Sequence, residues 1–293
     1  MGSTCFIIVA DETPGLLDSL REYVNKLESL WSRFQPKSEL MLANNAHGDA
    51  TTVSPETISL IQEMKFGYQL TSGIFDPTQL HKTLEFGFSQ SKFNDKNETL
   101  LSDTEHDGLC VLDVEIDVQK NRIRIPSGLA IDAGGIGKGF AADLTADLAI
   151  KLGAQGVAVF IGGEVRVRGD AQSDDGWTVG VSHPHSSAEF VDVLAIHDGG
   201  VATSGPMGWR NHAGESHILN PRTHKPVLSD VLQATVIAST SAHAEVLTKL
   251  CIVLDIQEAL SEVERIGVEA LLIDTKLNRF ETPGWEKFTK WIQ

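Results

Sequence analysis

Between Gly156 and Thr275 the chain offers one strand-like segment after another: "GVAVFIGG", "VRVRG", "WTVGVSHP", "VDVLAIHDGGVATSG", "QATVIAS" and "EALLIDT". Each is short, rich in β-branched and apolar residues, and bounded by turn formers. Helical patterns interrupt them near residues 139–152, 241–254 and 257–266. Strands in succession with helices inserted point to the α+β class, with mixed sheets and packed helices.

The first half is consistent with that class. After a short strand, "CFIIVA", residues 14–34 carry Leu16, Leu17, Leu20, Val24, Leu27, Leu30 and Trp31 at helical spacing, which makes them core positions. In "VSPETISLIQEMKFGYQLTSG", Ser54 is an N-cap, Pro55 suits the first turn and Gly73 closes a second helix. Residues 111–126 alternate and turn at "QKN", as a β-hairpin does, and 89–108 is polar enough to be an irregular surface loop. With no internal repeat and no Pro/Gly/Ser linker, residues 1–293 read as a single domain, of a length that two lobes could also compose.

Forty acidic against 24 basic side chains give a net charge of −16, and no basic run offsets it. Nucleic acid and anionic lipid are thereby discounted as partners, and any anionic ligand must be met by local charge. Cys5, Cys110 and Cys251 are too scattered for a disulfide framework or a thiolate metal site and read as buried free thiols. "TCFIIVAD" is too short for the apolar region of a signal peptide, and no run reaches membrane-spanning length. As given, the chain reads as cytoplasmic, or as exported if an N-terminal signal was removed.

The stretch "AIDAGGIGKGFAAD", Ala130 to Asp143, carries the strongest chemical signal. It is neither a P-loop, since Gly139 follows the lysine where Ser or Thr is needed, nor a dinucleotide fingerprint. Its glycines, Lys138 and the helix after them could converge on an anion, with Gly137 and Gly139 allowing the turn into the helix. In isolation a plain glycine turn is the better reading.

The context changes that reading. "MGS", "SRFQPKSELMLAN", "TSGIFDPT", "DAGGIGKGFAAD", "VFIGGEVRVRG", "VATSG" and "HILNPRTHKP" resemble, in order, the motif series of the ApbE family, the FAD:protein FMN transferases. The resemblance implies a T-fold-like α+β fold with an FAD cleft. It also implies a reaction: FMN passes from FAD to a Ser or Thr of an acceptor flavoprotein as a phosphoester, with Mg²⁺ at the pyrophosphate and release of AMP. Alternatives are an FAD pyrophosphatase, with water in the acceptor's place, and a flavin-binding protein with weakened catalysis. A Rossmann oxidoreductase is disfavoured, because no G-x-G-x-x-G opens a βαβ unit.

Carried over residue by residue, the resemblance places Met1, Ser38, Ile74, Phe75, Asp76, Asp132, Lys138, Thr203, Ser204, Gly205 and His217 toward FAD. His217 and Asp132 would be catalytic, and Gly135 would offer a carbonyl to the metal. Two departures lie after the histidine, where Asn220 replaces an aspartate and His224 a glycine. A larger one lies at the metal: the family's Asp and Thr, four residues apart, fall on Glu245 and Lys249, with Thr248 one residue off that face. Three readings stay open there: a plain helix ion pair, Glu245 still binding Mg²⁺, or the Lys249 ammonium in the metal's place. The H-x-H pair of His183 and His185 reads as surface, and Trp285 and Trp291 as an anchoring C-terminal tail.

Overall fold

The computed structural model describes residues 3–10, 13–92, 94–105 and 108–290. Met1 and Trp291 lie outside the described residues, as do three positions of the expected 89–108 loop. In chain order, β1 (Cys5–Val9) is followed by α1 (Leu16–Trp31), α2 (Glu39–Asn44), β2 (Ala50–Thr52), α3 (Pro55–Leu70) and α4 (Leu80–Glu85). Two hairpins come next, β3 (Gln90–Ser91) with β4 (Asn94–Glu98) and β5 (Glu115–Asp117) with β6 (Arg122–Arg124). Then come α5 (Gly137–Lys151), β7 (Gly156–Ile161), β8 (Glu164–Gly169), β9 (Trp177–His183), β10 (Ser186–Ile196) and β11 (Gly199–Ser204). The last elements are β12 (Leu219–Asn220), β13 (Lys225–Pro226), β14 (Val231–Ala238), α6 (Ser241–Val253), α7 (Ile256–Ile266), β15 (Glu269–Asp274) and β16 (Arg279–Glu281).

These elements form two compact units, each assembled from separated parts of the chain. The first comprises residues 24–137 and 209–227, and the second residues 3–23, 138–208 and 228–293, apart from Met1–Gly2, which is not described. The boundary in α1 falls between Tyr23 and Val24.

The second unit is built on a seven-stranded sheet in the order β1-β7-β8-β11-β14-β15-β16. Every neighbouring pair in it is antiparallel. Alternation along the strands gives the sheet two faces. On one, Val165, Val167, Val201, Ile237, Leu271 and Ile273 pack with Trp177, Val179, Val181, Leu194 and Ile196 of the β9–β10 hairpin and with Trp285. Trp285 is fully buried and donates its indole N–H to Asp192 at 2.9 Å, which anchors the C-terminal segment. The other face, carrying Glu164, Gly200, Ala202 and Ser204, receives α6. That approach is close: a Cβ on Gly200 would lie 2.2 Å from the Ser241 N, and one on Gly139 2.4 Å from the Ser241 O. Thr240 and Asp143 cap α6, the carboxylate of Asp143 accepting from the Ser241 and Ala242 N–H groups at 2.8 and 2.9 Å.

In the first unit, α3 begins as the sequence predicts, with the Ser54 hydroxyl accepting from the Thr57 N–H at 3.3 Å. Glu39 at the start of α2 ties the two helices together by accepting from Ser54 and Thr57. The β5–β6 pair extends to β2, and its turn places Asn121 at φ 51°.

Several expectations need correction. The short helices α2 and α4 escape a periodicity search because six residues hold under two turns. The 89–108 segment contains the β3–β4 hairpin, and residues 111–113 form a 3₁₀ turn where a strand is expected. Leu17 is 50% exposed and faces away from the core stripe. Only Cys251 is a buried thiol; Cys5 is exposed and Cys110 half-buried.

Candidate functional site

The first unit gathers the two loops that carry Asp76 and Asp132. The Asp132 N–H donates to the Pro77 carbonyl at 2.8 Å, fastening "GIFDPT" to the glycine loop. Just before it, the Asn44 side chain clamps Ile131, donating to its carbonyl at 2.8 Å and accepting from its N–H at 2.9 Å. Asp132 itself accepts from the Gly134 N–H at 3.1 Å, and Gly135 turns the chain at φ 87°. The turn therefore belongs to Gly135, since Gly137 has ordinary φ and already starts α5, and Gly139 serves close packing.

Asp76 spends its carboxylate on its own loop, accepting from the Thr78 N–H and hydroxyl and from Gln79. Ile74 and Phe75 are buried. Ser38, also buried, caps α2 through the Met41 N–H at 3.2 Å.

His217 and Asp132 are joined through a stack of side chains within this unit. The His217 Nδ1 lies 3.1 Å from the Trp209 carbonyl, and the two rings are 5.9 Å apart. A carbonyl only accepts, so Nδ1 carries the hydrogen and the neutral ring keeps its lone pair on Nε2. The Trp209 ring lies 5.7 Å from the Arg33 guanidinium, whose Nε is 3.4 Å from Asp132. Phe34 and Phe88 complete this aromatic wall. Arg33 is 5% exposed and donates to the Phe88 carbonyl and to Thr99. Burial lowers its pKa, and Asp132 opposes that. Sequence reading missed Arg33 and Trp209, although Arg33 lies inside the quoted "SRF".

The second unit holds a buried charge cluster at the start of α5. The Lys138 ammonium lies 2.7 Å from Glu164 Oε1 and 2.5 Å from Glu245 Oε1. The Gly139 N–H donates to Glu245 Oε2 at 2.8 Å. One turn along α6, the Lys249 ammonium donates to the Ser204 hydroxyl at 2.9 Å, and Thr203 pairs with Thr235 at 3.0 Å. Burial alone would lower the Lys138 pKa, but Glu164 and Glu245 outweigh it and hold Lys138 above the usual lysine range. For Glu245, burial is outweighed by Lys138 and Lys249, and its pKa falls; for Glu164, burial prevails and its pKa rises. Lys249 is lowered by burial against the pull of Glu245. Glu164 Oε2 is buried without a hydrogen-bond partner.

The remaining expectations fall into place around these. Asn220 forms a turn, accepting from the Arg222 N–H at 2.9 Å, and His224 occupies the glycine position at φ 53°. His183 and His185 are a turn pair at the end of β9, with rings 5.9 Å apart.

A glycine loop opening a helix, a carboxylate–lysine cluster at that helix's start and an antiparallel sheet beneath it define an α+β protein with the fold of the solved flavin transferases. The ApbE protein of Thermotoga maritima superposes with a TM-score of 0.84 at 25% identity, covering 99% of this chain and 97% of that one. The flavin transferase ApbE of Vibrio cholerae gives 0.79 at 22% identity, over 98% and 96% of the two chains, and shares the fold. The chain belongs to the ApbE family, whose sequence model matches residues 1–272. Among relatives, the FAD:protein FMN transferase of Haemophilus influenzae is 27% identical over 274 residues, covering 90% of this chain and 77% of its own. That of Treponema pallidum is 25% identical over 301 residues, covering 93% and 82%.

The donors around Glu245 do not fit the Mg²⁺ that the resemblance implies. Both of its carboxylate oxygens are engaged, and the position four residues on presents an ammonium, which cannot ligate a metal while protonated. A dication placed beside two half-buried ammonium groups would meet strong repulsion. Among the described residues no group of three or more His, Cys, Asp or Glu side chains gathers to hold a metal.

Proposed function

We propose that this chain is an FAD:protein FMN transferase. The observation that carries the reading is the family match over residues 1–272, which takes in every motif that supplies the two clusters. In the reaction, an acceptor Ser or Thr oxygen attacks the FMN phosphorus of FAD. A new P–O bond forms, the phosphoanhydride P–O bond breaks and AMP leaves.

His217 Nε2 takes the hydroxyl proton, its ring held in the right tautomer by the Trp209 carbonyl. Asp132, steadied by Arg33 and the Gly134 N–H, orients the flavin side of the substrate. Lys138 and Lys249, each paired with a carboxylate, offer ammonium donors to the diphosphate in a protein whose net charge of −16 gives an anion no general attraction.

The test is incubation with FAD and an acceptor flavoprotein domain bearing a Ser/Thr flavinylation site, following AMP release and the acceptor mass. Covalent FMN on the acceptor with stoichiometric AMP is expected, and His217→Ala should slow it by roughly 10²–10⁴-fold. AMP formed equally fast without acceptor would make the chain a pyrophosphatase, and no AMP in either case would reduce it to a flavin binder.

A further inference from the structure

The surroundings of Lys249 are those of a bound cation. Its ammonium is ringed by oxygens: Ser204 Oγ at 2.9 Å, Thr248 Oγ1 at 3.2 Å, the Glu245 backbone O at 3.3 Å and Glu245 Oε1 at 4.0 Å. The ring is preorganised without the lysine, because Thr248 donates to the Glu245 carbonyl at 2.7 Å and lies 2.9 Å from the Ser204 hydroxyl. The strand face of β8 and β11 brings in Ser204 and Glu164, and a single turn of α6 brings in the rest. Two carboxylates and two ammonium groups leave this cluster neutral. Without Lys249, the two carboxylates would face the single ammonium of Lys138 and leave the cluster net negative.

We propose that Lys249 is a tethered cation, which permanently fills an oxygen cage that would otherwise take a divalent metal, so that this chain engages the diphosphate of its flavin nucleotide without a metal ion. The proposal deepens the transferase reading and rests on it for the identity of the nucleotide. The Lys249 side chain is 15% exposed, and for this role its ammonium must meet a phosphate oxygen on a side the cage does not cover. Lysine suits this role as a compact point charge on a flexible stem.

Two measurements on the wild-type protein decide the matter, and two variants sharpen it. Mn²⁺ titration followed by electron paramagnetic resonance should show no stoichiometric ion on the wild-type chain. Lys249→Thr should gain one Mn²⁺ per chain, bound at least about tenfold more tightly than any site of the wild type. FAD binding, followed by flavin fluorescence, should be equal in EDTA and in Mg²⁺ for the wild type. Lys249→Met, which keeps the stem and loses the charge, should bind FAD about tenfold more weakly in EDTA.

A tight Mn²⁺ on the wild type, or an FAD affinity that collapses in EDTA, overturns the proposal. So does a folded Lys249→Thr that gains no ion, or a folded Lys249→Met that keeps full affinity. Wild-type protein that binds no FAD in either buffer overturns the transferase reading and with it the nucleotide half of the proposal, while the Mn²⁺ titration still decides the cage.

Discussion

Cys251 is fully buried on α6, and burial pushes its thiol up from 9.0 to about 12. The native state therefore holds a proton that the unfolded chain releases near pH 9, so stability falls as pH rises between the two values. The slope is about 1.4 kcal/mol per pH unit in that window, and Cys251→Ala should flatten it in denaturant titrations run from pH 8.5 to 10. A thiol reagent should label Cys5 in the native protein and reach Cys251 only on unfolding.

His224 makes a different case. It sits at φ 53°, in a turn where glycine is at ease, and its ring meets Gln79 at 3.0 Å. We expect His224→Gly to stay within about 1 kcal/mol of wild type in thermal melts, relief of strain offsetting the lost contact. His224→Val, β-branched in the left-handed region, should lose about 1–2 kcal/mol.

At the scale of elements, α6 is the piece on which the second unit's cluster depends. It supplies Glu245, Thr248 and Lys249, and it reaches the sheet and α5 only because Gly200 and Gly139 lack side chains. Gly139→Ala would put a Cβ 2.4 Å from the Ser241 carbonyl, so α5 must move although alanine is the better helix former. A net loss of roughly 1–3 kcal/mol is expected in chemical denaturation. The long helices were readable because their apolar stripes and caps agree: Ser54 and Pro55 open α3, and residues 241–253 and 256–266 fall within one residue of the expected spans. The sheet strands were readable from β-branched runs. Leu17 misled because a stripe three residues wide does not say where its edge lies.

At the scale of the whole molecule, the acidic surface acts against an anionic substrate. With a net charge of −16, FAD should associate faster as salt rises, by roughly two- to fivefold between low and physiological ionic strength in stopped-flow flavin fluorescence. The opposite trend would mean that the local lysines dominate the approach. Sequence gave access to the glycine loop, His217 and the Glu245–Lys249 departure through their motifs. It gave no access to Arg33 stacked on Trp209, or to Glu164 bound to Lys138, because those pairs are 176 and 26 residues apart and only the tertiary fold joins them. Among the described residues no helix is long and apolar enough to cross a membrane.

The interleaving of the two units has a genetic consequence. Residues 24–137 and 209–227 belong to one unit and the stretches between and around them to the other, so the coding sequence switches unit several times. Neither unit is a cassette: no single crossover can transplant one of them intact into another gene. A chimera that exchanges one unit must therefore join several separate segments at matched boundaries.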